Sequence, residues 1–288
     1  IAVVIALLFL VLSGGCGKTG VDPVEDATDI DAIINIIRYD KAALFTADKL
    51  EMPAPDTSAL IGALPYELVS YWRTVNSDSF FIKLGDQDTV LEDSVRLVPF
   101  RLVSIEQFFT GNMEIIALDT TDGDSRRVRL SKPYTTKATV SGMVKKYGFD
   151  YNSRRGWALT EIGNAFYGSV LGQVRLWTSS HPEDTVLVGL RTYPFSEFPV
   201  FADGESLTVS VTPTELMGAA AIKCPTADGF LWRPLTKTES GAFVGGFRLY
   251  NNIYDKHIIV DMVRSRVFEQ DTTRYFTSAI GVSYNVRQ

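Results

Sequence analysis

The chain is poor in the residues that most often carry chemistry. Its 288 residues include two cysteines, Cys16 and Cys224, and two histidines, His181 and His257. So few ligands exclude a Cys- or His-rich zinc site, and if Cys16 is modified, Cys224 has no intramolecular partner and a disulfide framework is excluded as well. No Gly-x-Ser-x-Gly occurs, and neither histidine stands near a nucleophile motif, which argues against a serine or cysteine hydrolase. An excess of positive charge is missing too. The formal net charge is -6, whereas a general nucleic-acid binder needs a cationic surface to displace counterions from phosphates. Arg126-Arg127, Lys145-Lys146 and Arg154-Arg155 read as solvated strand or turn charges.

What is present suits a globular protein. Hydrophobic residues make up 45% and charged residues 22%, enough to bury a core in one large domain or two ordinary ones. Ile1 to Leu12 is an unbroken apolar run. As a helix it would span roughly 18 Å, against a hydrocarbon core of about 30 Å. It is too short to cross a bilayer alone, but its length suits the apolar region of a signal peptide.

Small residues follow, Ser13-Gly14-Gly15, and then Cys16. This arrangement resembles a bacterial lipoprotein signal. The resemblance implies that residues 1–15 are removed and that the Cys16 thiol carries a lipid, holding the protein to a membrane of the cell envelope. A conventionally cleaved secretory signal and a truncated membrane anchor remain as other readings. Residues 16–27, with Gly, Pro and acids, read as a flexible tether. Gly14 to Gly20 contains Gly-Lys-Thr, yet Leu12 stands where a phosphate loop needs its first glycine.

The expected fold class is an α+β domain over residues 28–195, with helices on a curved antiparallel sheet, followed by an all-β immunoglobulin-like sandwich over 197–288. Thr28 to Tyr39 carries isoleucines at 30, 33, 34 and 37, the spacing of one helical face, and Thr28 with Asp31 makes a capping-box pattern. Pro65 to Thr74 reads as a second helix begun by proline. Strands are expected at 79–83, 95–103, 113–119, 126–130, 136–146, 157–162, 173–178 and 186–193. Asp122-Gly123 is a hairpin signal, and 152–156 reads as a second hairpin loop. Asp119, Asp122 and Asp124 are oxygen ligands suited to calcium, but they lack EF-hand spacing and are also ordinary turn residues.

Helices followed by long strands, closing on Gly156-Trp157-Ala158-Leu159, resemble the cone-shaped nuclear-transport-factor-like superfamily. That resemblance implies an apolar pocket, for which the candidates are Tyr39, Phe45, Trp72, Phe80, Phe81, Phe108 and Phe109. Some enzymes of that superfamily use an Asp-His pair, which a region without histidine before His181 cannot supply.

Beyond residue 197 the pattern alternates. Leu207, Val209 and Val211, then Ile258, Val260 and Met262, then Ile280, Val282, Tyr284 and Val286 each mark one dry face. Glu205 to Val211 and Gly281 to Tyr284 resemble immunoglobulin-like modules of bacterial surface proteins, which serve as spacers or binding platforms. The resulting expectation is a non-catalytic envelope lipoprotein that binds a ligand or scaffolds at the membrane surface. It has no cofactor or metal, and its partners are the membrane and either a small apolar ligand or an envelope protein. An enzyme using a pocket carboxylate, and a subunit of a larger envelope assembly, are the alternatives.

Overall fold

The computed structural model describes residues 26–51, 67–119, 126–168, 172–182, 186–188, 192–215, 217–226, 229–250, 257–264 and 275–287. Cys16, the leader and most of the tether fall outside them, as do Pro65, Asp122 and Asp124.

Helix α1 (Asp29–Asn35) continues as one π turn (Ile36–Asp40), and α2 (Ala42–Phe45) follows. The long strands come next: β1 (Glu67–Leu84), the short β2 (Asp88–Glu92), β3 (Arg96–Asp119) and β4 (Arg126–Lys146). Then come β5 (Trp157–Gly163), β6 (Ala165–Gly168), β7 (Gly172–Thr178), β8 (Val186–Val188), β9 (Thr192–Pro194) and β10 (Val200–Ala202). The last group is β11 (Ser206–Pro213), β12 (Met217–Thr226), β13 (Gly229–Pro234), β14 (Thr236–Lys237), β15 (Phe243–Arg248), β16 (His257–Arg264), β17 (Tyr275–Phe276), β18 (Ser278–Ser283) and β19 (Asn285–Arg287).

Strands account for 66% of the structure and helices for 12%, which overturns the α+β expectation. The segment from Pro65 is the largest correction. From Glu67 onward it is β1, paired antiparallel with β3 from Glu67↔Leu118 to Leu84↔Val103. Tyr71 and Arg73 are buried while Thr74 is exposed. A ladder of that length outweighs the weak helix signal of one proline, and aromatic and β-branched residues fit its pleat.

The main sheet has twelve strands, with the path β1-β3-β4-β6-β18-β16-β12-β13. Strands from both halves of the chain are thus hydrogen-bonded in one curled antiparallel sheet, and β12, β16 and β18 are not the separate immunoglobulin-like sandwich expected. What read as two strands at 95–103 and 113–119 is one 24-residue strand, β3. Its partner β4 likewise merges 126–130 with 136–146 over 21 residues. Strands this long stay compact only by bending. Register shifts at Leu68/Ser70 and Val75/Ser77 in β1 supply bulges, and Thr160 of β5, opposite Met143/Val144 of β4, supplies a third. Gly111 lies in this region, and a Cβ there would overlap the Thr74 carbonyl oxygen.

The curl gives one face two partners. On β3, the side chains of Val103, Ile105 and Phe109 pack with Ile33, Ile36 and Ile37 of the helix. Further along the same face, Met113 and Ile115 pack with Ala219 and Ala221 of β12 and Val263 of β16. The other faces of β12, β16 and β18 (Ile222, Val260, Ile280) pack on a five-stranded sheet, β14-β15-β11-β7-β8, through Leu176, Val209 and Phe247. β16 is therefore dry on both sides. That is why Ile258-Ile259-Val260-Asp261-Met262-Val263 is nearly continuous in apolar residues, where alternation had suggested one wet face.

Candidate functional site

The groove beside the helix is built from its π turn. The Thr28 side chain accepts the Asp31 N–H, and Asp31 reaches back to the Thr28 N–H, so the expected capping box is present. The buried stripe is Ala32, Ile33, Ile36 and Ile37, while Ile30 is exposed. The wider turn closes with the Lys41 N–H donating to the Ile36 carbonyl at 2.8 Å. Such π turns are rare and recur at functional sites. Here it carries Ile37, Arg38 and Tyr39 around the mouth of a cavity of about 370 Å³.

Ile37, Phe45 and Ile105 give the groove an apolar floor, and Tyr39, Ala42 and Phe80 border it. Arg38 stands over the Phe80 ring, 5.7 Å from its centroid. The buried Gln107 accepts the Ala47 N–H through Oε1 at 3.0 Å, which leaves its amide nitrogen as a donor of the lining beside the Arg38 guanidinium. The lining holds no carboxylate, histidine or cysteine.

Of the seven aromatic candidates, the groove brings together Tyr39, Phe45 and Phe80. Phe109 is fully buried in the core. Phe81 and Phe108 pack edge to face on the exposed side of the sheet, 5.8 Å apart. Trp72 lies under the Arg129 guanidinium, 5.3 Å away. The parity of β1 decides this separation, because neighbouring residues of a strand face opposite sides.

A second constellation escaped the sequence reading. Arg73 and Asp261, both with fully buried side chains, form a bidentate pair at 2.5 and 3.0 Å. Arg73 also donates to the Tyr275 hydroxyl at 2.8 Å, and that hydroxyl donates to the Met262 carbonyl at 3.2 Å. Burial pushes the Asp261 carboxyl above its ordinary range, and the Arg73 charge only partly offsets this. Burial likewise raises the Tyr71 hydroxyl, and it pushes Tyr134 up to about 12. The one usable signal was a lone acid inside the apolar run of β16. With both carboxylate oxygens held by Arg73, the pair ties β1 to β16 and offers no free base.

Elsewhere, Cys224 is buried among the residues between the two sheets, and burial pushes its thiol up to about 12. His181 lies in the turn after β7, and His257 opens β16. Among the described residues there is no cluster of three or more His, Cys, Asp or Glu placed to hold a metal ion. Among them, too, no helix is long and apolar enough to cross a membrane.

Fold and groove together define a mostly β protein with a helix seated on a curled antiparallel sheet and an open apolar cleft beside it. Comparison with protein-family models and with curated proteins finds no match.

Proposed function

We propose that this is a lipid-anchored envelope protein that binds a small apolar or amphiphilic ligand in the groove of Ile37, Tyr39, Phe45, Phe80 and Ile105. The observation that carries the reading is the character of that lining: an apolar floor, one amide, one guanidinium at the rim and the Tyr39 and Thr46 hydroxyls, with no carboxylate, histidine or cysteine beside them. Clefts of this size with a few placed polar groups are the usual form of a small-molecule site. Arg38 at the mouth suits an anionic head whose tail lies along Ile37 and Ile105. Asp261, a fully buried carboxylate, is paired with Arg73 and lies outside this groove.

The test is a titration of the full chain with the naphthylamine dye N-phenyl-1-naphthylamine, beside mass spectrometry of co-purified small molecules. Ala42→Trp fills the groove from its border and should weaken dye binding about tenfold or more, equivalent to about 1.4 kcal/mol, without changing the far-ultraviolet circular dichroism. Equal affinity for both chains would remove the groove as the binding site.

A further inference from the structure

The turn between β4 and β5 carries two aromatic rings into solvent. Phe149 and Tyr151 stack on one another, 5.3 Å between centroids and 15° between planes, yet they are 68% and 83% exposed. The turn beneath them is ordered. The Tyr147 and Gly148 N–H groups both donate to the Gly156 carbonyl, the Phe149 N–H donates to Asn152 Oδ1 and the Asn152 N–H donates to the Phe149 carbonyl. The neighbouring β2–β3 hairpin adds Leu91, Val95 and Leu97, all exposed, with Val95 at 85%. Arg96 joins the two turns by donating to the Tyr147 carbonyl at 2.9 Å. Apolar side chains exposed on two ordered turns that are joined by a hydrogen bond mark a contact site.

Its place in the fold says what covers it. Arg154, three residues past Tyr151, donates to the Asp26 carboxylate at 3.3 Å, so the chain leading back to Cys16 joins the fold beside this turn. The stretch from Cys16 to Asp26 reaches about 35 Å at full extension. A lipid on Cys16 therefore keeps this end of the molecule close to the bilayer. The charges at the base of the turn are matched. Asp150 pairs with Lys146 and Arg155, Asp29 with the same two cations, and Asp40 with Arg154. Among the described residues, no surplus of cations is left there to attract anionic headgroups.

We propose that the Phe149–Tyr151 tip enters the interfacial layer of the membrane, the Tyr151 ring keeping its hydroxyl at the polar side as amphipathic rings do and Phe149 adding apolar area, and so sets the orientation of the anchored protein. The attraction is apolar, so it works on uncharged lipid and is insensitive to salt. This rests on the anchored reading of the chain, and the experiment separates the two.

Phe149→Trp places a fluorophore at the tip, and Phe230→Trp places one on β13, the last strand of the sheet path and five strands along it from β4. Each full chain is added to phosphatidylcholine vesicles with brominated acyl chains. The expected result is blue-shifted, quenched emission from the tip variant relative to the parent, unchanged in high salt, and no added quenching from Phe230→Trp. Flotation of the same samples reads attachment. A Cys16→Ser chain, coupled to nickel-chelating vesicles through an N-terminal hexahistidine tag, should show the same tip quenching, so loss of acylation alone removes the anchor and leaves the tip intact. Absent tip quenching in the tagged chain, or equal quenching at both positions, overturns the proposal. A concentration-dependent blue shift without vesicles would also overturn it, assigning the surface to a second copy of the chain.

Discussion

Removing Arg73 while leaving Asp261 in place should cost about 3–5 kcal/mol, the usual loss when one member of a buried pair is deleted. The structure allows a closer estimate. In an Arg73→Met chain the carboxylate has no cation and almost no water, since both side chains are fully buried. Its cheapest escape is to bind a proton. From an ordinary value of 3.8, holding that proton at pH 7 costs about 4 kcal/mol at 1.36 kcal/mol per unit. This caps the electrostatic part of the loss. The sign follows from proton counts. The mutant's folded state binds a proton that its unfolded state releases, so its stability falls as pH rises above 3.8 and recovers as pH falls back toward it. The deficit relative to the parent should therefore shrink by up to about 1.4 kcal/mol per pH unit between pH 7 and pH 4. Urea unfolding followed by tryptophan emission at several pH values reads both numbers. The double variant Arg73→Met with Asp261→Val should regain most of the loss, because no orphaned charge remains and Tyr275 keeps the Met262 carbonyl. A deficit under about 1 kcal/mol that does not change with pH would refute the buried pair.

Two further outcomes are expected. Asp40 is held below the usual carboxylate range by its hydrogen bonds from Arg154, and Asp29 also lies low because Arg155 and Lys146 outweigh its burial. Their stabilisation is present above 3.8 and is lost as pH falls through their lowered values. Asp40→Asn should thus cost about 1 kcal/mol or less at pH 7, with the difference from the parent closing below pH 3.8, as measured by urea melts across that range. In the Cys16→Ser chain, Cys224 should resist iodoacetamide while folded and react once per chain in denaturant, because its thiol, pushed up to about 12, is buried between the sheets. Rapid labelling of the folded chain, read by mass, would refute that packing.

The capping box at Thr28 and Asp31 was legible because it is local: four residues contain every atom that makes it. Local spacing also served the alternating strands, of which Leu207, Val209 and Val211 are all buried. The aromatic residues of the first half pointed towards a groove, but sequence order could not say which of them share a face with the helix. Tyr39, Phe45 and Phe80 meet there only because β1 and β3 bend around α1.

By itself the sequence determined what short range can determine: the helix start at Thr28, the alternation of β11, and the scarcity of histidine and cysteine. Only the tertiary structure decided that Glu67 onward is a strand and that strands from both halves share a sheet. It alone brought Arg73 to Asp261 across 188 positions. The reason is that a strand's hydrogen bonds and a buried charge's partner both lie on other parts of the chain, so neither has a local signature. In β16 the two levels meet: the lone aspartate in an apolar run was visible from the start, but its meaning depended on a distant arginine.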